Sequence, residues 1–320
     1  MTVPPVELQL ERELSSWIQA EQDAPGAQAD ALLSSLRESA PARRRHVFFL
    51  KWMYETFHAL AECFPPPDPD PAGRIDAGGG ATSPQELLYI AHHLYLLDRL
   101  GVPGALLECG CFKGFSSCCL SHACTALGRR LVVADSFQGL PDPGDEGQGY
   151  YRRGDFCGTL AEVEENLQSF GRPEVVELLP GWYDDSLSGW REPIAILWLD
   201  VDLASSARDA LRQAGAMLEP AGAVFSHEFQ PDFLAEGRIV ATAGPAAALR
   251  EHFEGRGVPY TARFVAGWLG MAGAAASAAP WSPRLVEALL PHLRDADHRV
   301  RAAQRQFGPW QRGIRALRRR

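Results

Sequence analysis

ALLECGCFKGFSSCCLSHACTALGRRLVVADS, residues 105–136, decides the fold. A short apolar run ends in Glu108, turns at Gly110 and Gly114, passes through a helical stretch and returns as a second apolar run closed by Asp135. The same grammar recurs downstream. LAEVEENLQSFG reads as a helix, VVELLPG as a strand, IAILWLDVDL as a strand followed by Asp200 and Asp202, and SSARDALRQAGAML as a helix before AGAVFSHE, which ends in His227-Glu228. Apolar strands alternating with helices imply parallel βαβ units with right-handed crossovers. The expected fold is α/β, a doubly wound, mostly parallel sheet. In such a sheet the residues just past the strands line one crevice, where ligands bind.

Working outward, Ser83-Pro84-Gln85-Glu86 satisfies the rules for a helix start, with an N-cap serine, proline at the first helical position and glutamate at the third. VPYTARFVAGWLGMAG reads as a strand pair that closes the sheet as an antiparallel hairpin. Residues from about 6 to 64 show helical periodicity and form an expected helical N-terminal cap, joined by the Pro- and Gly-rich PPPDPDPAGRIDAGGGAT. The expected divisions are therefore 1–82, 83–275 and a helical, arginine-rich extension, 276–320.

At 320 residues and 46% hydrophobic, the chain can bury one large core with appended elements. Its net charge of −9 opposes general binding to nucleic acid, which calls for a basic face. Seven cysteines fit neither paired metal knuckles nor a secreted disulfide framework, and read as small packing residues in a reducing cytoplasm. MTVPPVELQLERELSSW lacks the basic start and apolar core of a signal peptide. His92 and His93 read as packing and surface residues. Arg312, Arg315 and Arg318 to Arg320 are read as a solvated tail, with a membrane-facing stripe as the lesser alternative.

The turn after the first strand discriminates between cofactors. A dinucleotide site wants GxGxxG so that its second glycine admits the pyrophosphate; here Phe112 stands in that place. Glu108-x-Gly110-x-x-x-Gly114 suits S-adenosylmethionine instead, with Asp135 placed to accept both ribose hydroxyls. Lys113, Ser116 and Ser136 border the same turns, and Gly181, Trp182 and Tyr183 follow the third strand where the adenine edge would lie. The bland readings are turns, a helix start for Ser116 and Ser117, solvent for Lys113 and packing for the aromatics.

With these residues assembled, the chain resembles the macrocin O-methyltransferase-like family, through ECGCFKG, VVADSFQGLPDP, EVEENLQSFG, LLPGWYDDSL and LWLDVDLASSARDAL. The resemblance spans about residues 83–230. It implies the class I methyltransferase (Rossmann-like) type of that α/β fold and methyl transfer from S-adenosylmethionine to a hydroxyl of a sugar or glycosylated metabolite, assisted by a divalent metal, magnesium first and manganese second. Asp200, His227 and Glu228 are the expected metal residues, and Asp202 matches the position that takes the proton, with His227 as its competitor. One departure stands out: where the family carries an Asp-Asp pair after the fifth strand, this sequence has Ser226-His227-Glu228. The rival readings are an inactive S-adenosylmethionine-binding protein and a nicotinamide-dependent oxidoreductase. Acceptor identity and homo-oligomer formation are left open.

Overall fold

The computed structural model describes residues 39–64, 82–147 and 150–274, with Val286 and Leu290 besides. Most of the expected N-terminal cap, the Pro- and Gly-rich segment at 65–81 and the arginine-rich tail lie outside the described residues. By its contacts the chain divides into two units, Met1–Glu55 with Ser282–Arg320, and Thr56–Trp281. The first described helix is α1 (Ala40–Ala61), whose buried Phe49, Leu50, Met53, Tyr54, Phe57 and Leu60 recur at helical spacing.

In the second unit α2 (Pro84–Arg99), β1 (Ala105–Cys109), α3 (Phe115–Ala126), β2 (Leu131–Asp135), α4 (Leu160–Phe170) and β3 (Val176–Pro180) follow in order. Then come a short α5 (Tyr183–Ser186), β4 (Ile194–Leu199), α6 (Ala204–Ala214), β5 (Leu218–Ser226), a two-residue pair β6 (Leu234–Ala235) and β7 (Arg238–Ile239), α7 (Gly244–Gly255), β8 (Tyr260–Ala266) and β9 (Leu269–Ala274). The main sheet runs β3-β2-β1-β4-β5-β9-β8. Its first five strands are parallel, and β9 joins β5 antiparallel through the hairpin with β8, as the sequence predicts. β1 and β4 are fully buried, which is why they read as continuous apolar runs without alternation. The pair β6–β7 escapes sequence reading because two residues carry no period.

The chain leaves β1 toward β2 on one side and returns to pair β4 on the other, so the topological switch lies between them. α2 starts as expected: Ser83 accepts the Glu86 N–H at 3.2 Å, and Glu86 accepts the Ser83 N–H at 2.7 Å. His92 and His93 are both buried, so neither is a surface residue. Cys109, Cys111, Cys118, Cys119 and Cys124 are buried as expected, whereas Cys63 and Cys157 are exposed; all seven are free thiols. No helix among the described residues is long and apolar enough to cross a membrane.

Candidate active site

A cavity of about 380 Å³ opens at the carboxyl ends of β1, β2 and β4. Gly110, Asp135, Tyr183, Asp200 and Asp202 all border it, so residues spread over 93 positions of sequence meet in one wall, as the strand ends predict. The turn after β1 holds Gly110 at φ +86°, Phe112 at +49° and Gly114 at +85°. A Cβ on Gly110 would overlap the Asp200 carbonyl oxygen, so this glycine lets the ends of β1 and β4 lie together and is not reserved for ligand approach. Gly114 is the N-cap of α3 and caps without a side chain. Gly158 also serves this turn: a Cβ there would overlap the Phe112 carbonyl oxygen.

Glu108 differs from the expected cofactor contact. It is wholly buried, and its two carboxylate oxygens accept hydrogen bonds from Ser116 and, at 2.7 Å, Ser117. Burial pushes its pKa up to about 8 against the opposing pull of those two hydroxyls. Glu108 therefore secures the first turn of α3 to β1, and Ser116 and Ser117 act as its partners instead of as the helix cap. Ser116 still borders the cavity.

Asp135 keeps a place at the cavity. Its Oδ2 accepts the Cys111 N–H at 2.8 Å and its Oδ1 the Phe137 N–H at 2.7 Å, which aims the carboxylate by both adjoining turns and leaves further lone pairs on each oxygen. Burial raises its proton affinity, and the backbone N–H groups oppose that. Ser136 lines the cavity, but its Oγ is occupied in its own turn, donating to the Gly139 carbonyl and accepting the Gln138 N–H, both at 3.0 Å. Lys113 is half-exposed, with its ammonium 3.5 Å from Glu162. Gly181, Trp182 and Tyr183 border the cavity where the adenine edge was expected. Phe64 and Phe115 complete that wall with ring centroids 5.4 Å apart, a contact invisible in a sequence that separates them by a helix and a strand. The pocket's size, its apolar side and the doubly anchored carboxylate fit a nucleoside cofactor.

At the other end Asp200 and Asp202 border the cavity beyond β4. Strand alternation does not set their directions, because β4 stops at Leu199 and Asp202 adopts φ +58°. Asp200 Oδ2 accepts from Thr82 Oγ1 at 2.6 Å. Asp202 hydrogen-bonds the Tyr151 hydroxyl, and its pKa is raised well above the usual range by burial and by the charges of Glu228 and Asp200. Tyr151 went unnoticed in the sequence because a long loop lacks any period to assign its side chain.

His227 and Glu228 lie beyond the end of β5, against Asp200. His227 is 1% exposed and absent from the cavity wall, so it does not face a substrate. Its Nδ1 lies 3.1 Å from Glu228 Oε1 and 3.4 Å from Asp200 Oδ1, while Nε2 faces Glu86 Oε1 at 3.7 Å. Burial disfavours charge on the ring, but these acids outweigh it and hold the pKa up at about 11. The Nδ1 axis is used on a carboxylate, not offered as a lone pair, and among the described residues no three His, Cys, Asp or Glu side chains converge as a metal set. Asp200, His227 and Glu228 meet, but as an ion cluster that does not fit the implied cation.

The chain has relatives among known proteins. The chain is 35% identical over 144 residues to 8-demethyl-8-(2,3-dimethoxy-alpha-L-rhamnosyl)-tetracenomycin-C 4'-O-methyltransferase of Streptomyces olivaceus, a match covering 41% of this chain and 55% of the relative. It is 35% identical over 123 residues to demethyldecarbamoylnovobiocin O-methyltransferase of Streptomyces niveus, covering 34% of this chain and 47% of that one. The matches thus span about half the length of these relatives. The solved structure of the O-methyltransferase NovP superposes with a TM-score of 0.56 at 20% identity, over 71% of this chain and 98% of that one, and shares the fold. Residues 52–232 match the macrocin-O-methyltransferase (TylF) family, and the chain belongs to that family.

Proposed function

We propose that this protein is an S-adenosylmethionine-dependent O-methyltransferase acting on a hydroxyl of a sugar or glycosylated metabolite. The observation that carries the reading is one cavity with a carboxylate aimed by two turns at one end, Asp135, and a carboxylate of raised proton affinity at the other, Asp202. The glycosylated acceptor is supported by the name of one relative, which carries a rhamnosyl group.

S-adenosylmethionine, when bound, supplies an electrophilic methyl group. Asp135 would accept the ribose hydroxyls, and Trp182, Tyr183, Phe64 and Phe115, which line the cavity, would supply the apolar wall that excludes water from the base. Asp202 accepts the proton of the acceptor hydroxyl. An ordinary aspartate is a weak base for an alcohol, and burial beside Glu228 and Asp200 strengthens it in the needed direction. Holding donor and acceptor in line adds the advantage of proximity. No step is assigned to magnesium or manganese, because the residues expected to hold a metal are engaged with one another.

Calorimetry tests the reading. S-adenosylhomocysteine should bind and nicotinamide dinucleotides should not, and Asp135→Ala should weaken binding by about 1.5–3 kcal/mol, as for hydrogen bonds to a charged group. Dinucleotide binding without S-adenosylhomocysteine binding would reverse the assignment; cofactor binding without methyl transfer to any glycosylated acceptor would favour an inactive binding protein.

A further inference from the structure

The buried side of α6 carries a single polar residue. Of the six buried residues of this helix four are alanines and one is a leucine, and Ser206 alone bears a hydroxyl. Ser206 is 8% exposed and borders the cavity, as does Asp202 four positions earlier. A serine inside a helix can turn its hydroxyl back on the carbonyl four residues before it. Ser206 does not, and its Oγ has no hydrogen-bond partner among the described residues. A buried polar group left unpaired is costly, so this hydroxyl is matched to something that the cavity admits. The start of α6 is fixed around it: the N-cap Leu203 offers no side-chain cap, Glu146 accepts the Ser205 N–H at 3.1 Å and pairs with Arg208 at 3.5 Å, and Arg208 pairs in turn with Glu251 at 2.8 Å. The partial positive charge of a helix N-terminus favours a hydrogen-bond acceptor there, whereas the neighbouring carboxylate of Asp202 opposes an anion. A neutral oxygen meets both conditions.

We propose that Ser206 is the second contact of the acceptor subsite: its hydroxyl donates to the oxygen on the sugar-ring carbon next to the one whose hydroxyl faces Asp202, so that the acceptor is recognised by two adjacent oxygenated positions of its ring. Asp202, when ionised, only accepts hydrogen bonds and takes the proton of one hydroxyl. Ser206, on the same wall, holds the neighbouring hydroxyl or its methyl ether, the glycosidic oxygen being taken up by the aglycone. One contact would leave the ring free to turn about it; two fix which hydroxyl meets the methyl donor. A ring with a bare methylene at the neighbouring position would leave Ser206 buried and unpaired, and a site built to bond a substrate oxygen rejects an analogue that lacks it. The inference rests on the methyltransferase reading for which end of the cavity takes the acceptor, and narrows that reading to a substrate class.

The probes are methyl α-L-rhamnopyranoside, whose three hydroxyls stand on consecutive carbons, and its 3-deoxy analogue, whose two remaining hydroxyls are not adjacent. The full chain is titrated with each by saturation-transfer difference NMR, with and without S-adenosylhomocysteine. The wild type should hold the rhamnoside about three- to tenfold more tightly than the 3-deoxy analogue, the range of one hydrogen bond. Ser206→Ala should bind the two alike and keep its affinity for S-adenosylhomocysteine; alanine is the better helix former, so the substitution does not threaten α6. Equal binding of both probes by the wild type, binding of neither, or a preference that survives Ser206→Ala would overturn the proposal. A loss of S-adenosylhomocysteine affinity in Ser206→Ala would do so as well, by giving the hydroxyl to the cofactor. The two claims fail separately: a chain that ignores S-adenosylhomocysteine yet discriminates the probes through Ser206 loses the functional reading and keeps the subsite, and one that binds S-adenosylhomocysteine without discriminating loses only the subsite.

Discussion

Asp202, half-buried, and Glu108, wholly buried, are both acids with raised proton affinity, yet one borders the cavity and the other does not. That difference gives each its own prediction. Asp202→Asn keeps the shape while removing basicity, so turnover should fall about 10²-fold or more with S-adenosylhomocysteine affinity nearly intact; near-normal turnover would take the proton away from Asp202. For Glu108, the ordinary pKa of 4.5 rises to about 8 in the folded protein. The folded state holds this proton longer than the unfolded chain, so the contribution to stability is complete below the lower value and is lost as pH rises through the upper one. Glu108→Gln cannot ionise, so its urea midpoint should decline less than that of the wild type across this interval. Equal declines would refute the shift. Asp135 was legible as a site residue because an apolar run pointed to it, and Asp200 and Asp202 likewise. The partners of Glu108 were not, since Ser116 and Ser117 fit a helix start equally well and only their hydroxyl directions decide.

Elements show the same split between what pattern reveals and what packing adds. The start of α2 could be read to the residue, because a capping box is local chemistry between Ser83 and Glu86. The hairpin β8–β9 could be read because its two runs are adjacent in sequence. What no local pattern carries is the approach of distant backbones, and Gly158 is the clearest case: nothing around CGT announces that its α-carbon rests against the Phe112–Lys113 peptide of the turn after β1. Its backbone is not left-handed, so the constraint is space alone. Gly158→Ala should displace that turn and weaken S-adenosylhomocysteine binding at least about tenfold, or 1.4 kcal/mol, within the range for overpacking. An unchanged dissociation constant would mean that the turn does not touch the cofactor.

Across the whole molecule the doubly wound sheet was legible because alternating strands and helices admit few topologies. The expected N-terminal cap and arginine-rich extension fall mostly outside the described residues. Ligand linkage offers a measure at this scale: S-adenosylhomocysteine at a hundred times its dissociation constant should stabilise the fold by about 2.7 kcal/mol in denaturation, and no stabilisation would argue against native-state binding. Glu86 extends this to heat. One side chain begins α2, accepts a backbone N–H from the turn between β8 and β9, and lies 3.7 Å from the histidine behind the cavity. Fraying of that helix end would therefore withdraw a carboxylate from behind the site in the same motion. Such a protein has a single failure mode: on warming, loss of ligand affinity and loss of helical circular dichroism should trace one curve, with no plateau of folded but blind molecules between them.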